Sequence, residues 1–284
     1  MKLPEGIVDA HIHYWDPSLL PYDWLKGLPP LDRSFLPEDF SMASTGAAIS
    51  KIVFVESGCD ASRALDEVDW VTSLAHHESR IRAIVANAPL ELGIGVREHL
   101  THLAERPMVK GIRRLLQGEP EADYCLKPGF LEGTGLLEGF VFSMDLCIRH
   151  DQLVAVTELV RKFPDVRFIL DHFGKPLVKQ GGMEPWLSQL RELAVLPNVS
   201  CKVSGLTTEA DWQNWTETDL KPYFDTVLES FGADRVIFAG DWPVCTLATE
   251  YQRWVETVVE LTSSLSMEDS AKLFRSNAER MYRI

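Results

Sequence analysis

Short apolar runs and helix-period segments alternate eight times along this chain, and that alternation restricts its fold more than any other feature. The runs lie at 6–13, 52–56, 82–87, 109–114, 140–145, 166–172, 199–204 and 236–241. Runs such as 52–56 are continuously apolar, as expected of a strand buried on both faces of a parallel sheet. Segments with apolar residues at helical spacing follow at 61–77, 96–106, 129–138, 153–163, 183–196, 221–231, 249–265 and 266–281. A strand-then-helix unit repeated eight times predicts a TIM (β/α)8 barrel, and the length of 284 residues suits that fold, typically about 250 residues. No shift in composition divides the chain, so one domain over 1–284 is expected.

One segment departs from the alternation. Between the first run and a short helix expected from 36–40, the stretch 14–37 carries prolines and Trp15, Tyr22 and Trp24. Proline excludes regular helix or central strand here. An extended aromatic and proline-rich loop covering the end of strand 1 is expected, with most of its rings packing the loop down and one or two, Trp24 among them, left for a ligand.

In such barrels the active site lies where strands end. The residues at those ends are His11 and His13, Glu56, Asn87, Arg113 or Arg114, Asp145, His172, Lys202 or Ser204, and Asp241. So polar a ring at the ends of apolar strands is hard to explain by packing. Residues i and i+2 of a strand share a face, so His11 and His13 offer two imidazoles to one point. His172 and Asp241 end two further strands and complete a candidate cluster of ligands for a divalent ion such as zinc. With an ion bound, water is acidified and Asp241 is the general base. Without one, the histidines donate hydrogen bonds to a carbonyl oxygen and Asp241 activates water alone. The sequence leaves both versions open. His76, His77, His99, His102 and His150 have no converging partners and read as structural or surface residues.

Composition excludes several other classes. Hydrophobic residues make up 45% of the chain, enough for a large core. A net charge of −14 opposes binding to nucleic acid or to an anionic membrane. The five cysteines, Cys59, Cys125, Cys147, Cys201 and Cys245, form no Cys-x-x-Cys pair, so neither a disulfide framework nor a zinc finger is expected; Cys147 and Cys201 read as core residues. With no leader-like or membrane-spanning segment read, a soluble, cytoplasmic protein is expected. Self-association into a homo-oligomer is left open.

Three motifs carry a family resemblance. Val8-Asp9-Ala10-His11-Ile12-His13, Asp171-His172-Phe173-Gly174-Lys175-Pro176 and Gly240-Asp241-Trp242-Pro243 resemble the amidohydrolase superfamily. More narrowly, they resemble its lactonase branch, which includes L-fuconolactone and L-rhamnonolactone lactonases and 2-pyrone-4,6-dicarboxylate lactonase. The run from Val109 to Pro120, with Tyr22-Asp23-Trp24 and Phe35-Leu36-Pro37-Glu38-Asp39-Phe40, is similar to the fuconolactonase-like members. The resemblance implies His11, His13 and His172 as the metal-binding or carbonyl-polarising cluster and Asp241 as general base. It implies zero or one divalent ion, because Arg113-Arg114 and Asp145 stand where binuclear members carry a carboxylated lysine and a histidine. Substrate contacts are expected from Arg113, Arg114, Glu56, Trp24, Lys175, Asn87 and Asp145.

The partner expected is therefore a small-molecule lactone. A dicarboxylate substrate would call for several inward arginines, and a single Arg113-Arg114 pair favours a less charged polyol lactone. Metal-dependent decarboxylation and ligand binding without turnover are the competing readings.

Overall fold

A computed structural model describes residues 4–284, and Met1–Leu3 lie outside the described residues. Eight parallel strands pair in chain order: β1 (Ile7–Ile12), β2 (Ile49–Val55), β3 (Ile81–Asn87), β4 (Val109–Arg113), β5 (Ser143–Leu146), β6 (Phe168–Leu170), β7 (Val199–Val203) and β8 (Val236–Phe238). The ring closes just past β8, where the Asp241 N–H donates to His11 O and the His13 N–H to Trp242 O, both at 2.8 Å. The eightfold alternation thus becomes a TIM barrel.

Helices α1 (Pro37–Ala43), α2 (Ala64–Leu74), α3 (Arg97–Ala104), α4 (Pro128–Phe140), α5 (Leu153–Lys162), α6 (Trp186–Ala194), α7 (Glu217–Phe231) and α8 (Tyr251–Leu261) surround the strands. Alternation along each strand sorts side chains between two cores. On β7, Val199, Cys201 and Val203 join the layer between strands and helices. Ser200, Lys202 and Ser204 instead reach Met281, Asp145 and His172 inside the barrel. The interior layer contains Val8, Val53, Val55, Val85 and Ile237, and Met281 and Tyr282 of a last helix, α10 (Asn277–Tyr282), close it from below.

Several boundaries differ from the sequence reading. The run 140–145 begins as helix: Phe140 ends α4, Val141 caps it in a left-handed conformation (φ 60°), and β5 starts only at Ser143. Pro222 resembles a helix start, yet α7 begins at Glu217, where Asp219 accepts the Thr216 N–H at 2.8 Å in a capping arrangement. The stretch 266–281 is divided into α9 (Met267–Ala271), a wide turn at Lys272–Ser276 and α10. Strands β6 and β8 have three residues each, so His172 and Asp241 sit in the turns that follow.

The loop after β1 is pinned by a bridge in which Trp15 and Phe35 exchange backbone hydrogen bonds at 3.1 and 2.9 Å. Trp15 is fully buried and gives its indole hydrogen to Arg33 O at 2.8 Å. Truncating a buried tryptophan to alanine costs about 3–5 kcal/mol, which measures how firmly this ring anchors the loop.

Candidate active site

The site begins with a local irregularity in β1. Register shifts between Asp9 and Ile12 break the simple alternation, and Ala10 and the next residue, His11, both face the barrel interior. Asp9 stabilises this shape. Its Oδ1 accepts the N–H groups of His11 (3.0 Å) and Gly240 (2.9 Å), and its Oδ2 accepts the Tyr251 hydroxyl at 2.7 Å. One buried carboxylate thereby ties the segment carrying His11 to the one carrying Asp241.

His13 donates from Nδ1 to the Val55 carbonyl at 2.8 Å. A carbonyl only accepts, so the neutral ring keeps a lone pair on Nε2. That nitrogen lies 3.1 Å from His11 Nε2 and 3.4 Å from Asp241 Oδ1. Asp241 Oδ1 is also 3.6 Å from His11 Nε2, while Oδ2 is 4.0 Å from His172 Nδ1. His172 is held by Ser204 Oγ at 2.8 Å and backs onto Gly205 (φ +63°), where an added Cβ would stand only 2.8 Å from the ring. His172 and Asp241 themselves have φ of 54° and 55°. Left-handed backbone of this kind costs about 1–3 kcal/mol per residue and clusters at functional sites.

Electrostatics separate the roles. Burial opposes the Asp241 charge, but His172, His13 and His11 outweigh it and hold the carboxyl below the usual range. Burial pushes His172 down to about 4 and, reinforced by Lys202, holds His11 well below the ordinary imidazole value. At neutral pH the Asp241 carboxylate is ionised and the His11 and His172 rings beside it are neutral.

The cluster opens into a cavity of about 410 Å³ whose walls include His13, His172, Asp241, Arg113, Lys175 and Trp24. Trp24 is 37% exposed, with its indole N–H fixed to Ser57 O at 2.8 Å. Arg113 faces inward, clamped by Glu56 Oε1 at 2.6 Å, with Nη1 3.2 Å from His11 Nε2. Lys175 stands 3.8 Å from Glu209.

Other residues expected to touch substrate lie elsewhere. Arg114, next in sequence and on the opposite face, is held by Glu91 at 3.0 Å and Glu119 at 2.7 Å, outside the cavity wall. Asp145 is sealed beneath the site, where it accepts from Lys202 and from the Tyr282 hydroxyl. Asn87 turns its amide to Arg113 O at 3.4 Å, and Glu56, itself behind the cavity wall, supports it by clamping Arg113 and accepting the Gly58 N–H at 2.8 Å. Conversely, Cys147, read as a core residue, lines the cavity, as do Gln117 and Leu115. Asp171 also escaped the sequence reading as a site residue. It is fully buried, 3.1 Å from Lys202 Nζ, 3.4 Å from His11 Nδ1 and 3.5 Å from Arg113 Nη1. Its position two residues beyond the inward Ile169 of β6 was the available signal.

The donor set fits one divalent ion. Ligand atoms of His11, His172 and Asp241 lie within 4.8 Å of one another, with the His13 lone pair alongside, and imidazole nitrogen with carboxylate oxygen is a zinc-like set. Cys147, Asp171 and His172 form a second such group.

Imidazoles gathered around an ionised carboxylate, at the strand-end face of a TIM barrel, define a barrel enzyme that works on small molecules. The chain belongs to the amidohydrolase family, which it matches over residues 8–284. It is 30% identical to an L-fucono-1,5-lactonase of Burkholderia multivorans, covering 97% of this chain and 95% of that one. It is 25% identical to an L-rhamnono-gamma-lactonase of Scheffersomyces stipitis, with 98% of each covered. Among solved structures, an amidohydrolase from Burkholderia multivorans with bound zinc superposes with a TM-score of 0.89 at 29% identity, over 98% of this chain and 99% of that one. Among the described residues no helix is long and apolar enough to cross a membrane.

Proposed function

We propose that this chain hydrolyses a sugar lactone of the L-fucono- or L-rhamnonolactone kind. The observation that carries this reading is the ionised Asp241 carboxylate, ringed by three imidazoles at 3.4, 3.6 and 4.0 Å and open to a cavity with an indole wall. The names of its relatives support the same reaction class.

In this mechanism the lactone ring lies against Trp24 with its carbonyl directed at the imidazole cluster. Asp241 takes a proton from water as the water oxygen adds to the carbonyl carbon. Hydrogen-bond donors of the cluster receive the developing negative charge on the carbonyl oxygen. When the ring C–O bond breaks, Asp241 returns the proton to the departing ring oxygen, leaving a hydroxy acid. His11, His172 and Asp241, with His13 beside them, would hold a divalent ion, which when bound supplies Lewis-acid polarisation of the carbonyl and a more acidic water.

Charge on the cavity wall supports a neutral substrate over a dicarboxylate. The Arg113 guanidinium is already engaged by Glu56 and Asp171, and Lys175 lies near Glu209. A dianion would have to compete with these carboxylates. The test is acid release, read by a pH indicator, from a panel including L-fuconolactone, L-rhamnonolactone and D-galactonolactone, with and without chelator. Rapid hydrolysis of a neutral sugar lactone is expected. Silence on the whole panel with metal supplied, and turnover of a dicarboxylate lactone instead, would overturn the reading.

A further inference from the structure

Hydrolysis of a lactone changes the charge of what the cavity holds. Water adds to a neutral ring ester, the ring C–O bond breaks, and the carboxylic acid so formed gives up its proton at neutral pH. A site that draws in an uncharged ring must therefore release an anion made in the same place. Of the charged groups on the cavity wall, Asp241 is ionised and Arg113 is engaged by Glu56 and Asp171. Lys175 is the remaining cation. Among the described residues its ammonium has no partner within hydrogen-bond distance, and Glu209 Oε1 stands 3.8 Å away.

The backbone fixes where this cation stands. Lys175 has φ 51° and donates its N–H to His172 O at 2.8 Å, so it is tied to the turn that carries His172. Its charge reaches both His172 and Cys147, which share the cavity wall with it. Glu209 lies outside that wall. It ends the short turn Thr207–Glu209 after β7 and opens on a neighbouring hollow lined also by Gln180, Thr208 and Trp212. Burial raises the Glu209 carboxyl above its ordinary value against the pull of Lys175, and the negative charge of Asp241 adds to the rise. Glu209 is thus within electrostatic reach of the catalytic carboxylate while a ligand in the cavity meets only Lys175.

We propose that Glu209 is a specificity-determining residue that acts through Lys175. By balancing the ammonium from outside the cavity, it keeps carboxylates from binding tightly, the hydroxy-acid product included. The ammonium hydrogens stay available to the oxygens of a neutral lactone. Product release rests on the lactone reading above, whereas carboxylate affinity is a property of the cavity alone and is measured without turnover.

The test is titration calorimetry of the full chain at pH 8 with L-fuconate and L-rhamnonate, the hydrolysed forms of two panel lactones. Glu209→Gln keeps the side-chain size and removes only the charge. It should bind at least one of these anions roughly fivefold tighter or more, the worth of a unit charge a few ångströms away even in watery surroundings. The gain should shrink as salt is added, as an effect of charge must, and should vanish when Lys175→Met is combined with Glu209→Gln. KM for a neutral lactone should change little. Unchanged affinity in folded Glu209→Gln, no binding by either protein, or a gain that survives Lys175→Met overturns the proposal. Tighter carboxylate binding without acid release from any sugar lactone would sink the lactone reading and leave the charge discrimination standing. Acid release with unaltered carboxylate affinity would do the reverse.

Discussion

The Tyr22 hydroxyl donates to Glu67 Oε1 across 3.1 Å, joining the loop after β1 to α2 deep inside the molecule. The same oxygen accepts the Ser57 N–H at 3.2 Å, and Ser57 O in turn fixes the Trp24 indole, so one carboxyl anchors the wall of the cavity. Burial and then the neighbouring Glu56 push Glu67 up to about 8, far above its ordinary 4.5. A raised folded value means that the native state holds this proton more tightly than the unfolded chain. Its stabilisation is complete below about 4.5, declines as pH rises, and is gone above about 8. Glu67→Gln keeps an acceptor for both donors but cannot ionise. The variant should gain thermal stability relative to the unsubstituted protein as pH rises from about 5 to about 8. Melting curves across that range check this, and parallel pH profiles for the two proteins would refute it.

Trp24 is the part-exposed ring of the loop, with its indole N–H pinned to Ser57 O and Trp15 set nearly perpendicular to it at 5.3 Å. Stacking on a bound ring is worth about 0.5–1.5 kcal/mol beyond area burial. Trp24→Ala should therefore raise KM for the preferred lactone roughly tenfold with a smaller effect on kcat, and Trp24→Phe should recover much of the loss. Steady-state kinetics decide it, and unchanged KM in the alanine variant would remove Trp24 from the substrate wall.

Gly205 serves His172 in two ways, through its left-handed backbone and through the space a Cβ would take from the imidazole. Gly205→Ala must either strain the turn after β7 or displace His172 from Ser204 and Asp241. A modest stability loss of about 1 kcal/mol with a much larger fall in kcat is expected. A variant that loses stability but retains kcat would show that the ring position is not critical.

The barrel was legible because parallel strands buried on both faces leave short apolar runs, and because each run is followed by a helix. The cluster of His11, His13, His172 and Asp241 was legible because each ends such a run. The irregularity of β1 was not, since nothing in Asp9-Ala10-His11 announces that two consecutive side chains will turn inward. The separation of Arg113 from Arg114 follows strand alternation, but which one faced the cavity depended on a register that sequence does not fix. Asp145 looked like a substrate contact because it ends a strand in sequence. It lies too low in the barrel, beside Lys202 and Tyr282, to reach the cavity. A residue's height along the barrel axis depends on strand stagger, and that is set by pairing between distant parts of the chain.

Asp241 provides the most direct test of the proposed chemistry. It sits at φ 55°, a conformation asparagine tolerates about as well as aspartate, so Asp241→Asn changes neither side-chain size nor backbone preference. What disappears is the negative charge among three imidazoles and the oxygen able to take a proton from water. Removing a general base costs on the order of 10²–10⁴ in rate. The variant should fold with an unaltered circular dichroism spectrum while kcat on the preferred lactone falls by roughly that factor. Because Asp241 also belongs to the candidate ligand set, zinc titration of the variant separates two causes. A rate loss accompanied by unchanged zinc affinity places the effect on the proton, whereas near-normal hydrolysis by a folded Asp241→Asn would leave the water without this activator and end the assignment.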